Sequence, residues 1–541
     1  MMKRFVATGA SVAVAALLLV SSGSTRAIKE GGTFRVGMAT VMTGSIDPAL
    51  VEQLGTGQLL NATCASLVNY PDKPFPAGLR LAPEVAAGYT VSRDGRTYTF
   101  TIRKGFRFST GQQVTARDFA ASINRLLKPA LMAPPQNQEP FLVIAGAQRV
   151  VDGKAQSASG VIVRRGKLVI RLTKAQPNFL FTMWLACVLP ASVANAAVDP
   201  EGVRAPVPSA GPYFISEYIP GERAVLERNR FYGGTRPHHV DRFDIRIDED
   251  QDALLDGVER GELDYAFTPS NSIGARAQAL RTRYGRNKGQ FWVESSSFLR
   301  MFVLNTSRPL FRNNPTLRRA LNFAVDRSAL VREHGGNLVV TPTDQYLMPT
   351  KLGFRDERIY PLRGPDLRTA RTLARGRTRS GKAVLFVPDV PPVIARAQLI
   401  QSNLNPIGLE VEIKRFSTGV YGTAIANPAA PFDIAYSGLL NNQQDPGELL
   451  AGMFDGRTIG RPGFVNWSYF SSARYNRLLD QASALSGEPR YQAYGELDVQ
   501  ISRDEAPAIP YAYDNALSLV SARTGCVIVN PYLDLAAVCL K

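Results

Sequence analysis

The sequence predicts a mixed α/β protein of more than one lobe, exported from the cytoplasm. Three observations predict it. Its 541 residues are too many for one hydrophobic core, so two or three lobes are expected. Segments of period-two apolar alternation, such as Thr97 to Ile102, are interleaved with segments of helical period, such as Phe119, Ile123, Leu126 and Leu127. Residues 1–27 read as an export leader. In it Lys3 and Arg4 precede an apolar run from Phe5 to Val20, and Thr25 and Ala27 are small residues at positions −3 and −1 of a cleavage site. The apolar run is short of the roughly 20 residues of a membrane span. The mature chain is expected to start at Ile28, released into an extracytoplasmic or periplasmic space, with an uncleaved anchor as the alternative. No cysteine lies near the cleavage point, so anchoring through a lipidated N-terminal cysteine is not expected.

Composition narrows the classes. Hydrophobic residues make up 45% and charged residues 20%, as in an ordinary globular protein. The net charge is +17, but the 50 arginines and 13 lysines are spread along the chain. A nucleic-acid binder would gather them on one face, so no nucleic-acid partner is expected. The densest run, Arg368 to Lys382, reads as a solvated helix and turn. Four cysteines, an even number in an exported chain, favour disulfides over metal ligands. Three pairings are possible. Cys526 and Cys539, close in sequence, are expected to pair, which leaves Cys64 with Cys187. No C-x2-C pair exists, so zinc is not expected.

The most structured stretch runs from Leu79 to Pro129. Ser92-Arg93-Asp94-Gly95 is a turn, because Asp-Gly tolerates positive φ. Thr97 to Ile102 is a half-buried strand, Lys104-Gly105 turns the chain again, and Phe106-Arg107-Phe108 resumes the alternation. Thr115 is suited to cap a helix with Asp118 three residues on, and Pro129 stops that helix. Through Asp94, Gly95, Tyr98, Phe100, Ile102, Arg103, Gly105, Phe108, Gly111, Val114, Thr115, Ala116, Asp118 and Phe119, this stretch resembles the signature of the family 5 extracellular solute-binding proteins. That family holds the peptide-, dipeptide- and nickel-binding components of ABC importers.

Further matches follow in order. Gly32 to Gly37 reads as a first strand; in the family its end, here near Met42 and Thr43, and the loop closing on Ile46-Asp47-Pro48 face the ligand. Val161 and Ile162 pair with Lys167 to Leu172 about a turn at Arg165-Gly166, and Phe179 to Leu189 reads as a buried helix containing Trp184. Gly211-Pro212-Tyr213, Gly221-Glu222, Leu226 to Asn229 and Gly261-Glu262 are similar to the family's middle segments. Asn305-Thr306, Pro309 and Leu317 to Arg327 form a second, independent match. Helix-then-strand elements follow at Asp366 to Val387 and Ile394 to Ile413.

The resemblance also indicates a ligand site. Peptide-binding members carry W-x-x-D-x-x-D-P, in which the first Asp meets the ligand's α-ammonium. Spacing from Asp445-Pro446 puts Asn442 at that position and Leu439 at the aromatic one. An amide hydrogen-bonds an ammonium but does not neutralise it. Expected contacts are Met42, Thr43, Tyr436, Asn442, Gln444, Asp445 and Trp467; Asp445 also suits a helix N-cap. The sequence carries no G-x-S-x-G elbow, no H-E-x-x-H pair and no phosphate loop. His238-His239 is expected in a solvated turn.

The resemblance therefore implies a two-lobed α/β periplasmic-binding-protein fold (type II, cluster C) with an extra subdomain. Lobe I is expected from 28–57, 186–290 and 509–541, the extra subdomain from 58–185 and lobe II from 291–508, with crossovers near 290 and 508. A monomer without cofactor or metal is expected, capturing a small solute between its lobes and docking on an ABC import permease. A secreted hydrolase working in the same cleft is the alternative.

Overall fold

Strand Thr33–Ala39 alternates out to buried Phe34, Val36 and Met38, the pattern of a strand with one face in a core. It lies between Arg242–Asp248 and Tyr265–Phe267, parallel to both, and Arg223–Arg228 and Tyr213–Ile219 extend the sheet antiparallel. This five-stranded sheet organises lobe I of a computed structural model that describes residues 28–541 except 198, 462 and 531. The expected leader and cleavage point lie outside the described residues.

A four-stranded antiparallel sheet, ordered Ala86–Val91, Thr97–Ile102, Lys167–Arg171 and Val161–Arg164, carries the signature stretch. The turn before its second strand places Gly95 at φ +69°. Helix Ala116–Leu126 starts with the expected capping box, Thr115 N donating to Asp118 Oδ2 at 2.8 Å. Its Phe119 and Ile123 bury against Phe100, Leu168 and Ile170. Burying a side chain such as Phe119 contributes roughly 1.5–3 kcal/mol. Two expectations are corrected here. Phe106-Arg107-Phe108 adds no strand to the sheet: both rings are buried, and only Arg107 bridges back, to Gln113. The helix at Phe179 stops at Trp184. Beyond it Cys187 is tied to Cys64 and Val188 N donates to Ala65 O, so the chain turns out of helical register.

Lobe II is built on a six-stranded sheet, ordered Val340–Pro342, Ala508–Leu519, Phe291–Leu304, Ile434–Leu440, Lys382–Pro388 and Glu410–Phe416. Helices Pro315–Ala324, Arg327–Glu333 and Pro391–Leu404 cover one face. Helices Pro446–Phe454, Ala473–Ala484 and Gly487–Gln500 cover the other. The arginines of the 368–379 run are exposed, as expected. Strands Phe291–Leu304 and Ala508–Leu519 run through both lobes. Their register breaks between Ser295 and Leu299, and Val520 bridges to Tyr265 of the lobe I sheet.

Both disulfides form as expected, Cys64–Cys187 and Cys526–Cys539. His238 and His239 are only partly exposed, unlike the expectation: His238 Nδ1 lies 3.0 Å from Arg236 O and His239 Nδ1 lies 2.8 Å from Glu30 Oε1.

Candidate functional site

Strand Ile434–Leu440 sits inside the lobe II sheet and ends in the polar loop 441–444, after which helix Pro446–Phe454 begins. The loop's conformation is set by a buried lysine. Lys351, only 2% exposed, donates from Nζ to Asn441 Oδ1 at 2.7 Å and to the carbonyls of Asn441 and Gln443. Burial pulls the Lys351 ammonium down to about 7, against Glu448 and Asp445, which hold it up. Leu352 N donates to Gln444 O at 2.9 Å, and Asn441 N to Ser297 O at 3.0 Å. Asn442 is the exposed residue of this loop, and its amide meets no hydrogen-bond partner among the described residues.

Asp445 is fully buried. It caps the helix by accepting from Gly447 N at 2.9 Å, and Arg490 takes both its oxygens. Of the two roles open to it from sequence, the cap is the one observed. Gln444 is half-buried, with its Oε1 buried and without a hydrogen-bond partner among the described residues.

Tyr436 is largely buried under the same strand. Its hydroxyl accepts from Arg300 Nη1 at 3.4 Å, its ring stands edge-on to Phe302, and the Arg396 guanidinium lies 5.7 Å from the ring centroid. Arg300 is neutralised by Asp514 at 2.9 and 2.7 Å. Arg396 Nε is buried and finds no acceptor among the described residues. His334 Nδ1 lies 3.0 Å from Tyr511 Oη. Burial first, then the charges of Arg396 and Arg300, pushes that imidazole down to about 3, so it is neutral at physiological pH.

Trp467 is half-buried against the aromatic cluster of Phe454, Tyr469 and Phe470. Met42 and Thr43 lie on lobe I at the end of the first strand, in and after the short helical turn Thr40–Met42. Thr43 Oγ1 donates to Thr40 O at 2.8 Å, and Tyr218 Oη donates to Gly44 O at 2.7 Å. The loop beyond is anchored by Asp47, which is buried and accepts from both Nη atoms of Arg125 at 2.9 and 2.6 Å. Tyr436, Asn442, Gln444 and Asp445 thus share one strand–loop–helix of lobe II, while Met42 and Thr43 belong to lobe I. Lys351, Arg490, Arg300 and Arg396 were not legible in the sequence. Each is one basic residue among many, and only its buried surroundings distinguish it.

This geometry has the parts of a capture device: two sheet-centred lobes joined by a two-stranded ribbon, with an exposed amide-rich loop at the end of a central strand. Among the described residues no group of three or more His, Cys, Asp or Glu side chains is placed to hold a metal ion. The fold and loop define a two-lobed solute-binding protein. Residues 80–461 match the family model described as "Bacterial extracellular solute-binding proteins, family 5 Middle", and the chain belongs to that family. The dipeptide-binding protein DppE of Bacillus subtilis is 22% identical over 474 residues, covering 84% of this chain and 83% of DppE. The nickel-binding periplasmic protein of Escherichia coli is 24% identical over 368 residues, covering 64% and 66%. Among solved structures, the MppA periplasmic murein tripeptide binding protein in its unliganded open form superposes with a TM-score of 0.78 at 21% identity, over 95% of this chain and 98% of that one. The chain is accordingly an exported solute-binding protein of ABC import, not an enzyme, and the hydrolase alternative finds no support.

Proposed function

We propose that this protein captures a solute recognised by hydrogen bonding and stacking rather than by neutralisation of an α-ammonium. The observation that carries the reading is Asn442, an exposed amide with no partner among the described residues, at the loop position where peptide-binding relatives carry a carboxylate. The nearby Glu448 carboxylate is engaged by Asn441 Nδ2 at 3.3 Å and faces Lys351, and a ligand cation closed in without a carboxylate of its own costs several kcal/mol. The Lys351 ammonium beneath the loop opposes a cationic head further. Asp445 does not compensate, because Arg490 and the helix N-terminus occupy it. Asn442, Gln444, Tyr436 and Trp467 are then the lobe II contacts and Met42 and Thr43 those of lobe I, with Asp445 holding the loop in place.

Capture proceeds by closure about the ribbon, whose register break at Ser295 to Leu299 is a place where strand pairing is already interrupted. The solute and the permease each favour the closed state. The protein acts as a monomer, released from its leader without a lipid anchor.

A thermal-shift screen with peptides, sugars, opines and metal chelates tests the reading. It should find a stabilising solute that is recovered chemically unchanged. Calorimetry of di- to pentapeptides against wild type and Asn442→Asp decides the ligand class. Weak binding to wild type that tightens in Asn442→Asp is expected; tight wild-type binding that Asn442→Asp leaves alone or weakens would sink it.

A further inference from the structure

On lobe I, where the extra subdomain meets the first sheet, a pocket of about 180 Å³ opens beside the Cys64–Cys187 disulfide, walled by Gly57, Leu60, Leu126, Phe141, Trp184 and Leu185. We propose that it receives an apolar group of the captured solute, a branched aliphatic chain or a single aromatic ring. The proposal rests on the solute-binding reading above.

The chemistry of the walls is the first argument. Polar side chains at the pocket are turned to other work: Ser66 Oγ donates to Trp184 O at 2.9 Å, Asn69 Oδ1 accepts from Tyr70 N at 2.9 Å, and Asn137 Nδ2 donates to the carbonyls of Ala49 and Val51 at 3.1 and 3.0 Å. Asn61 is left at the exposed rim. The pocket's size is comparable with an apolar cavity of about 150 Å³ that accepts a benzene ring.

Gly57 is the second argument. It sits inside helix Leu54–Thr63, where a glycine costs about 1 kcal/mol relative to alanine. Two residues earlier Gly55 has a packing reason, since a Cβ there would stand 2.5 Å from Met42 O. At Gly57 a Cβ would meet no atom within 4 Å. A side chain there would meet no packed neighbour, and Gly57 lines the pocket.

The third argument is position. Trp184 stands edge-on to Tyr70 at 5.2 Å. The Tyr70 ring packs, as does Tyr491, against a cluster that includes Leu352 of lobe II, and the buried Tyr70 hydroxyl has no hydrogen-bond partner among the described residues. Through Trp184 and Tyr70 the pocket wall therefore continues into a cluster that includes Leu352 and Tyr491 of lobe II, next to the loop 441–444.

The test titrates the purified protein with indole by calorimetry, for wild type and Gly57→Leu. Wild type is expected to bind indole saturably. In Gly57→Leu the affinity should fall by at least about tenfold, since the added side chain takes the apolar surface of the ring, with the melting temperature unchanged or raised. Equal binding by both proteins, or no saturable binding by wild type, overturns the proposal. Should Gly57→Leu melt lower, Leu185→Trp decides, because Leu185 is 38% exposed and closes the mouth from outside the core; undiminished indole binding there also overturns it. A solute from the thermal-shift screen that stabilises wild type and Gly57→Leu equally overturns the pocket and leaves solute binding standing. Indole binding lost in Gly57→Leu, with no stabilising solute from the screen, supports the pocket and counts against the solute-binding reading.

Discussion

Arg490 Nε and Nη2 hold the two carboxylate oxygens of Asp445 at 2.8 and 2.9 Å, with Arg490 4% exposed and Asp445 wholly buried. The pair fixes the helix that leaves the ligand loop, since Asp445 also caps it. A bidentate pair of this kind holds direction as well as charge. It ties up the Asp445 carboxylate beside the loop 441–444, while the neighbouring Glu448 carboxylate accepts from Asn441 Nδ2 at 3.3 Å.

Breaking the pair from one side strands a buried charge. Arg490→Met is expected to destabilise the protein by about 3–5 kcal/mol in urea unfolding. Asp445→Asn, which keeps the cap acceptor, should cost less. In the double variant the losses should not add, because the stranded charge is gone. Additive losses would show that the two side chains act separately.

Lys351 should leave a mark on the pH dependence of stability. Its folded pKa, pulled to about 7 by burial, lies below its unfolded value, so the unfolded chain binds more protons between pH 7 and about 10.5. Stability from this group therefore rises with pH across that window, by at most about 1.4 kcal/mol per unit. Urea melts at pH 7, 8 and 9 should show a positive contribution that Lys351→Met removes. The same variant should speed amide exchange in the loop 441–444, in which the carbonyls of Asn441 and Gln443 lose their donor.

The two disulfides close loops of very different length, with sequence separations of 123 and 13. In the chain-entropy model the longer loop stabilises by about 1–2 kcal/mol more. Replacing Cys64 and Cys187 by Ser should lower stability more than replacing Cys526 and Cys539. Thiol titration of the denatured, unreduced protein should find none free.

Arg396 is a buried cation whose Nε has no acceptor among the described residues. Arg396→Met keeps the apolar contact with the Tyr436 ring and removes the buried charge. It should raise stability by about 1 kcal/mol or more, net of the lost cation–π contact. A drop in the urea midpoint would show that the guanidinium is satisfied.

Much of the fold was legible because its signals are local. Asp94-Gly95 and Arg165-Gly166 place their turns by backbone permissiveness, and Thr115 with Asp118 closes its capping box within four residues. Strands 97–102 and 242–248 follow from alternation that needs only one buried face. The end of the Phe179 helix was not legible, since apolar periodicity continues past Trp184 and a disulfide partner 123 residues away redirects the chain.

The sequence by itself determined the family, the order of strands and helices, and the amide at position 442. Tertiary structure alone decided which polar groups of this loop are already paired within the protein. Asp445 is occupied by an arginine 45 residues on, and the loop around Asn442 is held by a lysine 90 residues before Asn441. A buried charge takes whichever partner lies within hydrogen-bond reach, and in a sheet crossed by long connections that reach is unrelated to separation along the chain.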